Sequence, residues 1–279
     1  MERSIFRQGS TTYFWSSAFF PKNVRQDVFK LYSFVRVADD YVDAAVADAE
    51  AFYALRRAWA LSSANPSFDD RPAAEDTIQT RAVKNIVYVS RTYGFDPAWV
   101  EEFLDAMQSD LEGRRYQMLE DTLGYIYGSA EVIALMMCKI MNVNPAGYDS
   151  AVMLGRAMQY INFIRDIDED AALGRCYFPA SELRAFGLPS LERPAPEHMA
   201  AFEAFIRVQI GRYCEWQAEA EKGYRYLPKR LLAPVKTAAD MYNWTALQIA
   251  ADPHIVFTKK VKPTKRRVLR AGVQNMLRS

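Results

Sequence analysis

The sequence is short of the residues that most enzyme chemistries need. Two histidines, His198 and His254, in 279 residues nearly exclude histidine-based triads and multi-histidine metal sites. The three cysteines, Cys138, Cys176 and Cys214, lack C-x-x-C spacing. They make neither a zinc site nor a disulfide framework, which suits a reducing cytosol. Charge of one sign is also missing: a formal net charge of +1 offers no overall field for nucleic acid or an acidic partner. No apolar run approaches the roughly 20 residues of a membrane span, since Val132–Cys138 is closed by Glu131 and Lys139. The opening Met1-Glu2-Arg3-Ser4 lacks the apolar core of a signal peptide. Strand-like alternation, glycine-rich phosphate loops and solenoid repeats are absent as well. The expectation is an all-α chain, cytoplasmic, forming one domain over 1–279 with a basic tail from about 259.

What is present is carboxylate in pairs. Asp39 and Asp43, and again Asp166 and Asp170, stand four apart, and at about 100° per residue such pairs share a helix face. The first pair lies beside the apolar stripe Val28, Leu31, Val35 and Val42, with Tyr32 on that side and Arg36 at its edge. This helix is expected to open after Pro21 with an Asn23–Gln26 capping box and to end near Ala45. Bare charge beside a core-facing stripe is costly and calls for a counter-charge. The second pair belongs to a helix expected from about 149 to 171, on which Gln159, Asn162, Asp166 and Asp170 form one row. Oxygen-only donors suit Mg²⁺ or Mn²⁺ and not zinc or copper. Asp40, Asp168 and Glu169 project to other faces and drop out as ligands.

Further helices are expected at about 48–64, 75–93, 97–112, 119–142, 197–225 and 229–251, with loops at 62–75 and 180–195. Gly128, Ser129, Ala130 and Ala134 cluster within one of them, allowing either close packing or room for a ligand. From Lys259 to Arg270 stand seven basic residues (Lys259, Lys260, Lys262, Lys265, Arg266, Arg267 and Arg270) and no acid. That segment reads as a solvated tail, as contact with anionic lipid headgroups at the inner face of a membrane, or as one lysine turned onto a phosphate.

Two acidic helices facing each other would hold divalent cations, whose natural ligand is a diphosphate. Arg36, Arg165, Arg175 and a tail lysine are available to share its charge. Departure of diphosphate leaves a carbocation, which needs no histidine but does need a dry, partly aromatic cavity. A chain with 16 Tyr, 16 Phe and 5 Trp can line one. A phosphatase or nucleotide-binding bundle would use the same ions but leave its site open to water, and a single-substrate cyclase or a chain-elongating synthase would use the same diphosphate chemistry.

The residues resemble the head-to-head isoprenoid synthases, the squalene and phytoene synthases. The matching segments are Phe20-Pro21, Leu31-Tyr32-Ser33-Phe34-Val35-Arg36-Val37-Ala38-Asp39-Asp40-Tyr41-Val42-Asp43, Tyr127-Gly128-Ser129-Ala130-Glu131-Val132, Gln159 through Asp170, and Arg175-Cys176-Tyr177-Phe178-Pro179. The likeness runs from about residue 6 to about 267. It implies a helical bundle around an apolar cavity in which Asp39, Asp43, Asn162, Asp166 and Asp170 bind Mg²⁺ (or Mn²⁺). It further implies that Ser10, Thr12, Tyr32, Arg36, Gln159, Arg165, Arg175, Tyr177, Tyr242 and Lys260 meet two prenyl diphosphates. Lys259-Lys260 stands where the family usually has arginine, Gly9 where it often has histidine, and Ala134 where glycine is frequent. The implied reaction joins two prenyl diphosphates through a cyclopropyl diphosphate. The small Ser16-Ser17-Ala18 favours geranylgeranyl diphosphate and phytoene, although Phe19, Phe20 and Phe29 are placed to close the same space. Squalene, dehydrosqualene or presqualene diphosphate from farnesyl diphosphate is the alternative, with NADPH required only for squalene. A non-catalytic, lipid-bound assembly factor is the more remote one.

Overall fold

In the computed structural model, which describes residues 15–44 and 46–278, Pro21 is the N-cap of helix α1 (Lys22–Asp43). No side chain closes its first turn, so the expected Asn23–Gln26 capping box does not form. The helix begins at Lys22, two residues before a cap at Asn23 would start it, and Asn23 falls inside it. Of the predicted stripe, Val28, Leu31 and Val42 are buried, while Val35 is half-buried on a cavity wall. Side-chain caps open the next three helices. Asp48 caps α2 (Ala49–Ala64), Thr77 caps α3 (Ile78–Tyr93) and Asp96 caps α4 (Pro97–Leu111). Gly94 ends α3 at φ 62°, a left-handed cap that suits glycine.

The helix expected over 119–142 is three pieces: α5 (Leu119–Ile126), a π-helical turn Tyr127–Glu131, and α6 (Val132–Met141). Close packing accompanies the turn. A Cβ on Gly128 would sit 2.3 Å from the Glu102 carbonyl oxygen of α4. On another face Ser129, Ala130 and Ala134 line a cavity. Both readings of the small residues therefore hold, on different sides. Contrary to the sequence expectation, Leu119–Met141 is long and apolar enough to cross a membrane by length and composition. Its composition has a local reason, because one side packs on α4 and another on the apolar cavity. Glu131 does not end the apolar run: it is buried inside, with Oε1 2.6 Å from Arg156 Nε.

The second acidic helix is also broken. α7 (Tyr148–Arg165) stops at Asp166, whose φ −100° and ψ 16° are not helical, and α8 (Ile167–Ala172) resumes directly after it. Within the expected 180–195 loop lies a short helix, α9 (Ala180–Ala185), where the Ala180 and Ser181 amides donate to the Tyr116 and Gln117 carbonyls. α10 (Met199–Glu221) and α11 (Lys229–Ala251) follow close to their expected bounds. The basic tail is not loose: Lys265–Arg278 forms α12. Val268, Gly272 and Asn275 are its buried stripe, and Asn275 Nδ2 donates to Asp240 Oδ2 of α11 at 2.7 Å. Three buried positions at i, i+4 and i+7 make the helix, and the surrounding cations hid them. Among the described residues there is no strand, in keeping with the all-α expectation. α1, α4, α6, α7 and α11 enclose the cavity.

Candidate active site

The cavity measures about 510 Å³. Met137, Met141, Leu154, Leu227 and Val235 line it, and so do carboxylates, arginines and lysines. Each expected site residue among those described reaches it: Tyr32, Arg36, Asp39 and Asp43 from α1, Gln159, Asn162 and Arg165 from α7, Asp166 and Asp170 at α8, then Arg175, Tyr177, Tyr242 and Lys260. Ser10 and Thr12 lie outside the described residues.

In this structure the counter-charge comes from basic side chains. Arg36 Nη1 donates to Asp39 Oδ2 at 2.6 Å, and Nη2 pairs with Asp40. Asp40 thus holds the arginine while pointing away from the ligand row. Arg175 Nη1 meets Asp43 Oδ1 at 2.5 Å, and its Nη2 donates to the Val42 carbonyl at 2.6 Å. These bonds clamp the end of α1 to the segment after α8. Arg165 Nε donates to Asp166 Oδ1 at 2.8 Å. Lys260 Nζ lies 3.3 Å from Asp166 Oδ1 and also pairs with Glu169. Glu169 therefore belongs to the cavity wall after all. This corrects the sequence reading: seven residues after Asn162, Glu169 stands about 20° from it on a helical wheel and shares its side of the helix.

The carboxylates are not equivalent. Desolvation, then repulsion from Asp43, raises Asp39 to about 7 despite Arg36. A third of its side chain remains accessible, and it lines the cavity. Burial and the neighbouring Asp166 raise Asp170 to about 8, with Arg175 acting the other way. Burial also opposes ionisation of Asp166, but Arg165 and Lys260 outweigh it and hold that carboxyl below its usual range. Asn162 supplies a further observation: its Oδ1 is buried with no hydrogen-bond partner, while its Nδ2 donates to Gln159 Oε1 at 3.4 Å. An orphaned amide oxygen in a row with the carboxylates of Asp166 and Asp170 is a hard-oxygen donor set suited to Mg²⁺ or Mn²⁺. Among the described residues no three His, Cys, Asp or Glu side chains converge on one point, and arginine or lysine pairs with Asp39, Asp43 and Asp166.

Ligation requires ionised carboxylates. Asp39 and Asp170 hold protons into the neutral range, so Mg²⁺ affinity should rise steeply from about pH 6 to about pH 8.5 and binding should release protons. Titration calorimetry in buffers of different ionisation enthalpy reads both. A pH-independent affinity would remove Asp39 and Asp170 from the ligand set.

The sequence reading missed Asp110. It lines the cavity from the last turn of α4, Oδ1 accepting from Tyr177 Oη at 2.9 Å and Oδ2 from Tyr125 Oη at 2.6 Å. The signal was available, since Asp110 continues the buried stripe of Phe103, Ala106 and Met107, the same argument that singled out Asp39.

A family model described as squalene/phytoene synthase matches residues 6–267. Similar curated proteins include a phytoene synthase of Pseudescherichia vulneris, 32% identical over 252 residues covering 87% of this chain and 79% of that protein. A 15-cis-phytoene synthase of Pantoea ananas is 30% identical over 243 residues, covering 86% and 79%. Among solved structures, a dehydrosqualene synthase in complex with a ligand superposes with a TM-score of 0.83 at 20% identity, covering 99% of this chain and 94% of the other. A squalene synthase from Alicyclobacillus acidocaldarius gives 0.73 at 22% identity, covering 91% and 93%. At those identities the structural likeness shows the fold.

Proposed function

The chain belongs to the squalene/phytoene synthase family, a family of prenyltransferases, and on that premise we propose that it joins two geranylgeranyl diphosphates head to head to give phytoene. The observation that carries this reading is the mixed lining of one cavity: both carboxylate rows and five basic residues, Arg36, Arg165, Arg175, Lys260 and Lys262, share it with apolar and aromatic side chains. Asp39, Asp43, Asn162, Asp166 and Asp170 would hold Mg²⁺ or Mn²⁺. When bound, the ion would neutralise charge on departing diphosphate. Arg36, Arg165 and Arg175 present forked donors for diphosphate oxygens, and Lys260 a point charge. The apolar walls exclude the water that would trap a cation. The ring faces of Phe163 and Tyr177, stacked with centroids 4.3 Å apart, offer it electrostatic support.

Room for a C20 chain is favoured by Ser16 and Ser17, which line the cavity, and by Phe19, whose ring packs against Gly272 of α12, whereas Phe20 lines the cavity and takes up part of that space. Incubation with Mg²⁺ and farnesyl or geranylgeranyl diphosphate, followed by chromatography, tests the reading. Phytoene from the C20 donor is the expected product. A C30 product from farnesyl diphosphate alone would reassign the substrate, with NADPH needed only if that product is squalene. No condensation with either donor would overturn the reading.

Membrane contact also belongs to it. Arg266, Arg270, Val273 and Leu277 share the outer face of α12, and the apolar pair is 48% and 83% exposed. A basic and apolar face with no acid suits anionic headgroups at the inner leaflet. The protein should co-sediment with vesicles containing phosphatidylglycerol but not with pure phosphatidylcholine, and Arg266→Glu with Arg270→Glu should abolish the binding. Equal sedimentation of the variant would exclude this face.

A further inference from the structure

Three aromatic rings on the cavity wall, those of Tyr125, Phe163 and Tyr177, come from α5, α7 and the segment after α8. They pack on one another: Tyr125 to Tyr177 at 4.8 Å between centroids, and Tyr177 to Phe163 at 4.3 Å with the planes 11° apart. Two polar contacts fix the assembly. Thr122 Oγ1 donates to the Tyr177 carbonyl at 2.8 Å and locates its backbone. The other is Asp110, which receives the hydroxyl protons of both tyrosines, one on each carboxylate oxygen.

A phenol has one O–H. With both protons committed to Asp110, neither hydroxyl can turn its proton toward the cavity. Their oxygens and ring faces are presented in one orientation, and the carboxylate behind them strengthens the negative end of each hydroxyl dipole. Positive charge in the cavity meets electron-rich groups held in place, and no acidic proton is offered to a double bond.

We infer that Asp110 is a positioning residue that orients the Tyr125 and Tyr177 hydroxyls so that this aromatic wall steadies cationic carbon during prenyl coupling. The inference rests on the reading of the site as a head-to-head prenyltransferase. Asp110 acts through the tyrosines and need not touch diphosphate or metal. Its loss should therefore alter the course of the cation more than the binding of substrate.

Asp110→Asn keeps the shape of the side chain but replaces one acceptor oxygen by an NH₂ that cannot accept, freeing one tyrosine. The expected result is a fall in kcat of about 10²-fold, typical of loosened geometry, with KM within a few-fold of the parent. The product mixture should shift from hydrocarbon toward the cyclopropyl diphosphate and water-trapped alcohols. Tyr177→Phe, which retains the ring, should shift the mixture the same way, with a melting temperature lower by only a few degrees for the one hydrogen bond lost. Combining it with Asp110→Asn should add little further loss. Tyr177→Phe serves as the deciding variant if Asp110→Asn does not fold, and normal products from it would overturn the inference. So would raised KM with unchanged kcat in Asp110→Asn, which would mean a substrate-binding role. Absence of any product from the parent protein would instead defeat the functional reading itself, and the inference with it.

Discussion

Asp39→Asn and Asp166→Asn are each expected to lower kcat by on the order of 10³-fold, equivalent to about 4 kcal/mol of transition-state stabilisation at 1.36 kcal/mol per decade, with an unchanged helical circular dichroism spectrum. Asparagine keeps the shape and one oxygen but removes the charge that a divalent ion or its arginine partner requires. The two variants should differ in stability, and with opposite signs. In the folded protein Asp39 favours its protonated form. The native state then binds more protons than the unfolded chain, and stability falls as pH rises toward about 7. Removing that charge should raise the melting temperature of metal-free protein at pH 8. Asp166 is the reverse case. Arg165 and Lys260 favour its ionised form, so its contribution is present above the ordinary carboxylate range and disappears on acidification. Asp166→Asn should lower the melting temperature at pH 8. Melting curves with chelator test this directly, and a shift of the same sign in both variants would contradict the electrostatic account.

Arg156→Met should destabilise the protein by about 3–5 kcal/mol, the usual result of stripping one partner from a buried ion pair, and lower the melting temperature by roughly 10 °C for a chain of this size. Glu131 is 3% exposed inside the π-helical turn, and its Oε1 meets Arg156 Nε at 2.6 Å. The guanidinium lies 5.5 Å from the Trp216 ring centroid. Without it the carboxylate is buried with no cation. Neither residue lines the cavity, so kcat/KM well below the transition should stay near the parent value. Glu131→Met combined with Arg156→Met should recover most of the loss, because an apolar pair leaves no uncompensated charge. If the double variant were as unstable as the single, packing and not charge would be the cause.

Much of this was legible in the amino-acid order. Helix bounds such as Ala49–Ala64, Pro97–Leu111 and Lys229–Ala251 follow from caps, proline positions and 3.6-residue periodicity, which act within a turn or two of chain. The two ligand rows follow for the same reason: residues four apart share a face wherever a helix forms. Asp110 was legible by that rule and was passed over because it stands alone, without a second carboxylate four residues away.

What periodicity could not supply lies where the chain leaves the ideal helix or meets itself at long range. The π-helical turn lets Gly128 press on α4 while Ala130 and Ala134 line the cavity. The Arg175–Asp43 clamp joins residues 132 apart, and the Asp110 bonds to Tyr125 and Tyr177 close over 15 and 67 positions. By itself the sequence determined most of the long helices, the acidic rows and the family, because each rests on local spacing. The fold alone decided which cation neutralises which carboxylate, where the basic C-terminal segment packs and which rings wall the cavity. Those depend on distances between faces that no local pattern encodes.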